Sequence, residues 1–351
     1  MPNKQKVLVT GSNGFVGSAV VEAMFLSGVY TPIAGVSSFS RAAKICHIPI
    51  EIQIANVLDK KTLTKSLRDV ETVVHCAAGT EEVIIQGTEN ILSVSKELGV
   101  KKVVHISTVD VYGNVSGIVD ETFPLKSKGT DYSDWKIKAE KICHKYIDKG
   151  LPITILRPAI IYGPYSQLWT LRFAERFKTG HLVTLDEKGE GKCNLIYIND
   201  LVDAIFKVIP CNDSDNNVYN VVGDDIISWN TYFEQLSAEL SVEKIEAQSN
   251  LVNYFKNIIL NPIRSMAKFI LSHFEKNIMY MYEKYPIINS LLKFAITTLK
   301  GNPSKDEQQL FQQNITFNNS AIKNDLFWKP KSSLEFYLKE STHWLSTYYT
   351  I

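Results

Sequence analysis

The stretch Val7-Leu8-Val9-Thr10-Gly11-Ser12-Asn13-Gly14-Phe15-Val16-Gly17 constrains this chain more than any other. The run Lys6 to Thr10 is rich in β-branched residues and stops at a glycine, as a buried strand does. From Ser18 to Leu26 the residues Ala19, Val20, Ala23, Met24 and Leu26 return at helical spacing, and Gly28 supplies a stop. Three glycines stand between strand and helix. Gly11 permits a sharp turn, Gly14 lets backbone approach a pyrophosphate, and Gly17 lets the helix lie close to the strand. The helix N-terminus then presents unpaired N–H groups and a positive dipole end to phosphates. Strand, turn and helix together predict a dinucleotide-binding unit.

Further apolar runs repeat the pattern. Ile33 to Val36 reads as a second strand, followed by Ser37-Ser38-Phe39-Ser40-Arg41 with no acid. An acidic side chain there would bind the ribose 2′-OH of NAD. Hydroxyls and the Arg41 guanidinium tolerate a 2′-phosphate instead, which favours NADP slightly over NAD. Ile50 to Ile54, Thr72 to His75, Val103 to Ser107 and Ile153 to Pro158 continue the series. Small residues at a strand's carboxyl end, as in Cys76-Ala77-Ala78-Gly79, let the backbone lie near a ligand. Strands alternating with helical stretches predict an α/β fold, a doubly wound parallel sheet with helices on both faces.

The chemistry is expected between Ser107 and Lys136. Tyr132 and Lys136 stand four apart at the start of a helix running from Asp131 to about Tyr146, hence on one face. A phenol titrating near pH 10 serves as acid–base catalyst at neutral pH only if its phenolate is stabilised. An ammonium beside it is expected to lower that pKa, and a positive nicotinamide ring to add to the effect. A hydroxyl at the end of the fifth strand would orient the substrate oxygen.

Taken together, Gly-x-x-Gly-x-x-Gly after Thr10, Val111-Tyr112-Gly113, Tyr132-x-x-x-Lys136, Arg157-Pro158 through Tyr162-Gly163-Pro164, and Asn194 through Asp200-Leu201 resemble the extended short-chain dehydrogenase/reductase superfamily. The specific resemblance is to its NAD(P)-dependent epimerase/dehydratase family. Leu326-Phe327-Trp328-Lys329-Pro330 carries the likeness to the C-terminal end. It implies Tyr132 as acid–base, Lys136 as its activator and ribose anchor, and Thr108, four residues before Tyr112, as the orienting donor. It also implies cofactor contacts from Gly11, Asn13, Gly14, Phe15, Val16, Gly17, Ser37, Arg41, Asn56, Val57, Cys76, Ala77, Ala78, Tyr132, Lys136 and Pro158, and no metal. Asn56 stands where relatives carry an aspartate. Val109-Asp110 holds one acid where family dehydratases hold a pair, which argues against dehydration. Nucleotide-sugar members often carry a diphosphate-clamping arginine where this chain has Cys193. The Asn194-x-Ile196-x-Ile198-x-Asp200 form looks more like 3β-hydroxysteroid dehydrogenases and dihydroflavonol reductases, although Arg172, Arg176 or Lys178 remain candidates to meet a diphosphate.

The implied activity is hydride transfer at a secondary alcohol or ketone carbon, with a nucleotide sugar or sugar-lipid of polysaccharide biosynthesis as first choice. A dehydrogenase acting on a hydrophobic substrate is the alternative, and a non-catalytic NAD(P)-binding regulator the reading of another class. The net charge of +1 offers nothing for nucleic acid. Five cysteines without a Cys-x-x-Cys pair argue for a reducing compartment. With a strand from Lys6 onward no secretory signal is expected, and the cytoplasm is the expected location.

Four regions are expected. Residues 1–165 form the Rossmann core and 166–249 a smaller substrate-binding region interleaved with it. Residues 250–305 form a helical insertion, and 306–351 return to the substrate region. Between Asn250 and Lys300 the insertion holds seven Lys/Arg, two Glu and eight Tyr/Phe. That composition suits a cap over the cleft or, as the second reading, a peripheral membrane contact. A homodimer through a helix pair, with the Tyr132 helix a candidate, is a further expectation. For the coenzyme the expected outcome is NADP(H) bound at least as tightly as NAD(H), with Arg41→Ala narrowing the difference in a fluorescence titration. An NAD preference that the substitution leaves unchanged would reduce Arg41 to a surface residue.

Overall fold

A strand covered on both faces can be apolar throughout, and β1 (Lys6–Thr10) is such a strand: Val7, Leu8, Val9 and Thr10 are all fully buried. The computed structural model describes residues 4–178, 185–242 and 303–348. After β1 come α1 (Phe15–Ser27), β2 (Thr31–Val36), β3 (Glu51–Ile54), α2 (Lys60–Ser66), β4 (Thr72–His75) and α3 (Glu81–Glu97). They are followed by β5 (Lys102–Ile106), β6 (Gly117–Val119), α4 (Asp131–Ile147), β7 (Ile153–Pro158) and β8 (Ile160–Tyr162). The chain continues through α5 (Arg172–Lys178), β9 (Lys192–Cys193), β10 (Leu195–Tyr197), α6 (Ile198–Val208) and β11 (Val218–Val221).

Seven of these strands form one parallel sheet in the order β11-β7-β5-β4-β1-β2-β3. Successive residues point to opposite faces, so the apolar strands feed two cores. Leu8, Ile33, Val73, Val103 and Ile153 pack with Leu63 of α2, Ile91 and Leu92 of α3, and Cys143 and Tyr146 of α4. Val7, Val9, Ala34, Val74, Val104 and Leu156 pack with Val20, Val21 and Met24 of α1 and with Leu201, Ile205 and Val208 of α6. Each such side chain contributes about 1.5–3 kcal/mol by its burial. The chain leaves β1 for β2 on one side and returns to β4 on the other. In a doubly wound sheet the crevice at that reversal is where ligands bind.

The chain divides into two units. The first comprises Met1–Ser166, Asn194–Ile226 and Ile315–Leu334 and contains the seven-stranded sheet. Within it β8 pairs with β10, and β6 pairs with the strand Ile315–Phe317. The C-terminal Trp328 is buried in this unit and donates its indole N–H to the Asp200 carbonyl at 3.0 Å, which accounts for the Leu-Phe-Trp-Lys-Pro motif. The second unit comprises Gln167–Cys193, Ile227–Asn314 and Glu335–Ile351. Its core is aromatic: Phe173, Phe177, Trp229, Phe233 and Phe311 are buried, and the Trp229 and Phe311 ring centres lie 4.7 Å apart. The helix α7 (Trp229–Glu239) begins at a Ser228 cap. Of the insertion expected over 250–305, residues 250–302 lie outside the described residues. At its end, Ser304 and Glu307 form a reciprocal capping box on the helix Lys305–Phe311. Among the described residues no helix is long and apolar enough to cross a membrane.

The first helix begins three residues before the expected Ser18, because Gly14, in an extended conformation, is its N-cap. The third glycine therefore lies inside the first turn. A Cβ on Gly17 would stand 2.3 Å from the Gly11 carbonyl oxygen and 2.8 Å from its carbon, so the close contact is with the turn itself. A Cβ on Gly14 would meet only the same oxygen, at 3.1 Å. Gly17→Ala is expected to cost more than ~2 kcal/mol and Gly14→Ala less than ~1 kcal/mol in denaturant unfolding. Equal costs would remove this account of the spacing.

Candidate active site

The turn after β1 opens the site. Gly11 adopts φ +67°, and a Cβ there would lie 2.8 Å from the Ala77 backbone, so two strand ends meet at glycine distance. The Gly14 N–H donates to the Gly11 carbonyl (2.8 Å) and the Ser12 hydroxyl to the Val9 carbonyl (2.6 Å), which fixes the turn. Asn13 and Gly14 are exposed, Phe15 and Val16 half-buried. The first turn of α1 has neither a side-chain cap nor an acidic residue. Its free N–H groups and open glycine surface fit the pyrophosphate of a dinucleotide.

The other expected cofactor residues follow the ends of neighbouring strands. Ser37 and Arg41 are exposed just beyond β2, Arg41 in the short helical turn Phe39–Arg41. Beyond β3, the Asn56 side chain accepts from the Leu58 N–H at 3.1 Å. The Val57 carbonyl accepts from the Asn90 amide at 2.9 Å. Cys76 and Ala77 are half-buried and Ala78 exposed beyond β4. Burial pushes the Cys76 thiol up to about 12, which leaves it a small neutral wall. Pro158 ends β7 opposite Val221.

The catalytic candidates meet on the same side of the sheet. Thr130 caps α4, accepting from the Ser133 N–H at 3.3 Å. Along this helix Tyr132, Lys136 and Glu140 form one stripe that runs from the opening inward: they are 39%, 4% and 0% exposed. The Lys136 ammonium donates to the Ile106 carbonyl at 2.7 Å, the last residue of β5, and lies 6.0 Å from the Tyr132 ring centre. Thr108 is half-buried two residues further, at the start of the turn Val109–Tyr112, and its hydroxyl accepts from the Asp110 N–H at 3.2 Å. Asp110 in turn pairs with Lys128 at 2.7 Å.

The electrostatics correct one expectation. The Tyr132 phenol is pushed up to about 12, first by burial and then by the Asp110 carboxylate. The Lys136 ammonium is turned to a carbonyl and does not by itself offset them. Burial pulls Lys136 down to about 8, with Cys76 and Glu140 acting the other way. The protein alone holds both groups protonated at neutral pH.

Arg176 is also reassigned. Its guanidinium forms a fork with Glu307 at 2.9 and 3.0 Å, and only 3% of the side chain is exposed, so it is not free to clamp a diphosphate. Arg172 lies 3.5 Å from the same carboxylate. Cys193 is buried.

Three features escaped the sequence reading. Glu140 accepts from Ser107 and forms a buried fork with Arg157. Its spacing of four from Lys136 was the available signal. Arg157 turns into the core, 3% exposed, rather than toward the opening. Beneath Lys136, His75 bridges Thr10 (2.8 Å) and Thr88 (3.1 Å), while both ring nitrogens of the buried His105 have no hydrogen-bond partner among the described residues.

Fold and site together define a Rossmann enzyme of the extended short-chain dehydrogenase/reductase type. Residues 7–222 match the model of the NAD dependent epimerase/dehydratase family, and the chain belongs to that family. It is 26% identical over 249 residues to an N-acetyl-α-D-glucosaminyl-diphospho-ditrans,octacis-undecaprenol 4-epimerase of Escherichia coli O157:H7, covering 67% of this chain and 72% of that one. It is 26% identical over 220 residues to a 3β-hydroxysteroid dehydrogenase/Δ5→4-isomerase of Mycobacterium tuberculosis, covering 56% and 58%. A crystal structure of UDP-glucuronic acid 4-epimerase from Bacillus cereus, in complex with UDP-glucuronic acid and NAD, superimposes with a TM-score of 0.71. That match has 20% identity and covers 98% of this chain and all of the other.

The histidine pair has a consequence for stability. Burial first, and the Lys136 charge second, lower His75 to about 3 and His105 well below its usual value. The unfolded chain takes up these protons near pH 6.5 and the folded chain does not. Stability is therefore unaffected above pH 6.5 and falls as the pH drops from there toward 3, by up to about 4 kcal/mol for His75. His105→Leu removes two unpartnered nitrogens. It should leave stability at pH 7.5 equal or higher, and flatten the acid dependence by about one proton, in urea unfolding at several pH values. An unchanged slope would show that His105 already carries its proton.

Proposed function

We propose that this protein is an NAD(P)-dependent epimerase or oxidoreductase acting at a secondary alcohol or ketone carbon of a nucleotide sugar or sugar-lipid. The observation that carries the reading is the Lys136 ammonium, which lies 6.0 Å from the Tyr132 ring and bonds the Ile106 carbonyl at 2.7 Å, two residues before Thr108. In a Rossmann frame these groups have one shared use. Bound NAD or NADP supplies the hydride acceptor and donor. The residues that would hold it are Gly11 through Gly17, Ser37, Arg41, Asn56, Val57, Cys76, Ala77, Ala78, Lys136 and Pro158. The exposed Ser37 and Arg41, without an acid, support NADP slightly over NAD.

As the phenolate, its own proton released to solvent, Tyr132 takes the proton of the substrate hydroxyl, and as the phenol it returns one to the carbonyl oxygen. A phenol at about 12 is a poor base at pH 7, so positive charge near it governs the rate. Lys136 supplies part of that charge, and it anchors a ribose hydroxyl once turned from the Ile106 carbonyl. Thr108 donates to the same substrate oxygen and orients it. Asp110, which also pairs with Lys128, raises the phenol pKa and so opposes formation of the phenolate.

The likeness to the undecaprenol-linked sugar epimerase and the family's nucleotide-sugar members supports a sugar substrate. The buried Cys193 and the engaged Arg176 favour the second reading, a dehydrogenase acting on an apolar alcohol. A panel of UDP-glucose, UDP-N-acetylglucosamine, UDP-glucuronic acid and a 3β-hydroxysteroid separates them. Product identity is followed by chromatography and NMR, which distinguish epimers of equal mass, together with nicotinamide absorbance. Isomerisation without net absorbance change identifies an epimerase, and net absorbance change identifies a dehydrogenase. With the productive substrate, Tyr132→Phe should lower kcat by at least about 10³-fold while leaving NADH affinity within a few-fold. Lys136→Ala should damage both. Near-normal turnover in Tyr132→Phe would sink the assignment. Failure of the wild-type protein to bind NADH would leave the regulator reading without support as well.

A further inference from the structure

The turn that carries Thr108 is tied down at both ends by one buried ion pair. At its start, the Ser107 hydroxyl donates to Glu140 at 2.5 Å. At its end, the Tyr112 hydroxyl accepts from Arg157 Nη1 at 2.8 Å and donates to the Asn220 side-chain oxygen at 2.7 Å. Glu140 and Arg157 close the circuit with a fork, Nε to Oε1 at 3.0 Å and Nη2 to Oε2 at 2.6 Å. All four tethering side chains are buried: Ser107 is 3% exposed, Tyr112 and Glu140 are 0%, and Arg157 is 3%. The Asn220 N–H donates to Glu121 at 2.7 Å, which extends the tether to β11 and the segment after β6.

A buried ion pair is weak as a source of stability, because desolvating two ions offsets much of their attraction. Its rigid, bidentate geometry is more useful as a fixed reference point. Here the carboxylate sits on the helix that carries Tyr132 and Lys136, two helical turns and one turn away. The groups it holds flank Thr108.

We propose that Glu140, acting with Arg157, is a positioning residue that sets the Thr108 turn against the Tyr132–Lys136 face of α4. The proposal rests on the catalytic reading above. Misplacing a catalytic group by about 1 Å is enough to cost about 10²-fold in rate, so a tether of this kind is expected to act on kcat and to leave substrate binding nearly unchanged.

Glu140 has a second effect, through charge. The titratable groups around the Lys136 ammonium include Tyr132, Glu140 and Cys143 from its own helix, Cys76 and His75 from β4 and its end, and His105 from β5. The two histidines are held neutral and Cys76 keeps its proton, so the Glu140 carboxylate is the anion that sustains the ammonium against burial. A neutral residue at 140 lowers the Lys136 pKa. Where the ammonium is needed, binding is retained below that pKa and lost as the pH rises through it.

The test uses Glu140→Gln and Ser107→Ala in the full chain, with NADH as probe and the productive member of the sugar panel as substrate. Turnover is expressed per NADH site, so loss of folded protein does not count as loss of rate. Glu140→Gln should lower kcat by about 10–100-fold with KM within about three-fold. Its alkaline loss of NADH affinity should move to lower pH by at least about half a pH unit. Ser107→Ala, which keeps the fork and the charge, should lower kcat several-fold and leave the NADH pH profile in place. A purely structural pair would lower the melting temperature of both variants while kcat per site and the pH profile stayed at wild-type values; that result overturns the proposal. If Glu140→Gln fails to fold, unchanged kcat in Ser107→Ala overturns it alone. If no panel member is turned over, the catalytic reading fails while the NADH pH profile still decides the charge effect.

Discussion

Burying β1 on both faces is the constraint on which the rest depends. A strand sealed above and below by helices can present a ligand only at its end. In a parallel sheet the carboxyl ends of all strands lie on one side. The glycine turn after β1, the small residues after β4, Thr108 after β5 and Pro158 at the end of β7 are thereby brought to one edge. Residues more than a hundred positions apart are thus brought to the same edge of the sheet.

At that edge the fold keeps charge scarce. The interior beneath Lys136 holds two neutral histidines, two protonated thiols and a carboxylate, and the carboxylate is locked to Arg157. Desolvation lowers the Lys136 pKa and raises that of Tyr132, so neither group is poised by the protein alone. A group left unpoised in this way responds to each charge brought near it, and the more strongly the less water surrounds it.

The second unit follows a different packing logic. Its core is a cluster of aromatic rings, with Phe173, Trp229, Phe233 and Phe311 in edge and tilted contacts. The fork of Arg176 to Glu307 sits within it. Such a unit is shaped by side-chain interlocking rather than by strand register.

The sequence by itself determined the local elements and the order of the chemistry. Runs of β-branched residues, glycines at positions 11, 14 and 17, and a helical spacing of four between Tyr132 and Lys136 are signals written within a dozen residues. Local sterics and periodicity suffice to read them. It also showed β1 to be a buried strand, because Val7, Leu8 and Val9 are apolar without alternation. What only the tertiary structure decided is where the polar side chains spend their hydrogen bonds. Arg157, next to the cofactor candidate Pro158, is a core residue, because Glu140 of α4, seventeen positions earlier, holds its guanidinium. Arg176 looks free and is taken by Glu307, 131 positions away. The Tyr132 pKa follows the same rule: spacing places an ammonium one turn away, but burial and Asp110 set the sign of the shift. Periodicity reports which face a residue occupies. Desolvation and partner choice depend on what the other strands and helices bring to that face, and no local stretch of sequence contains that information.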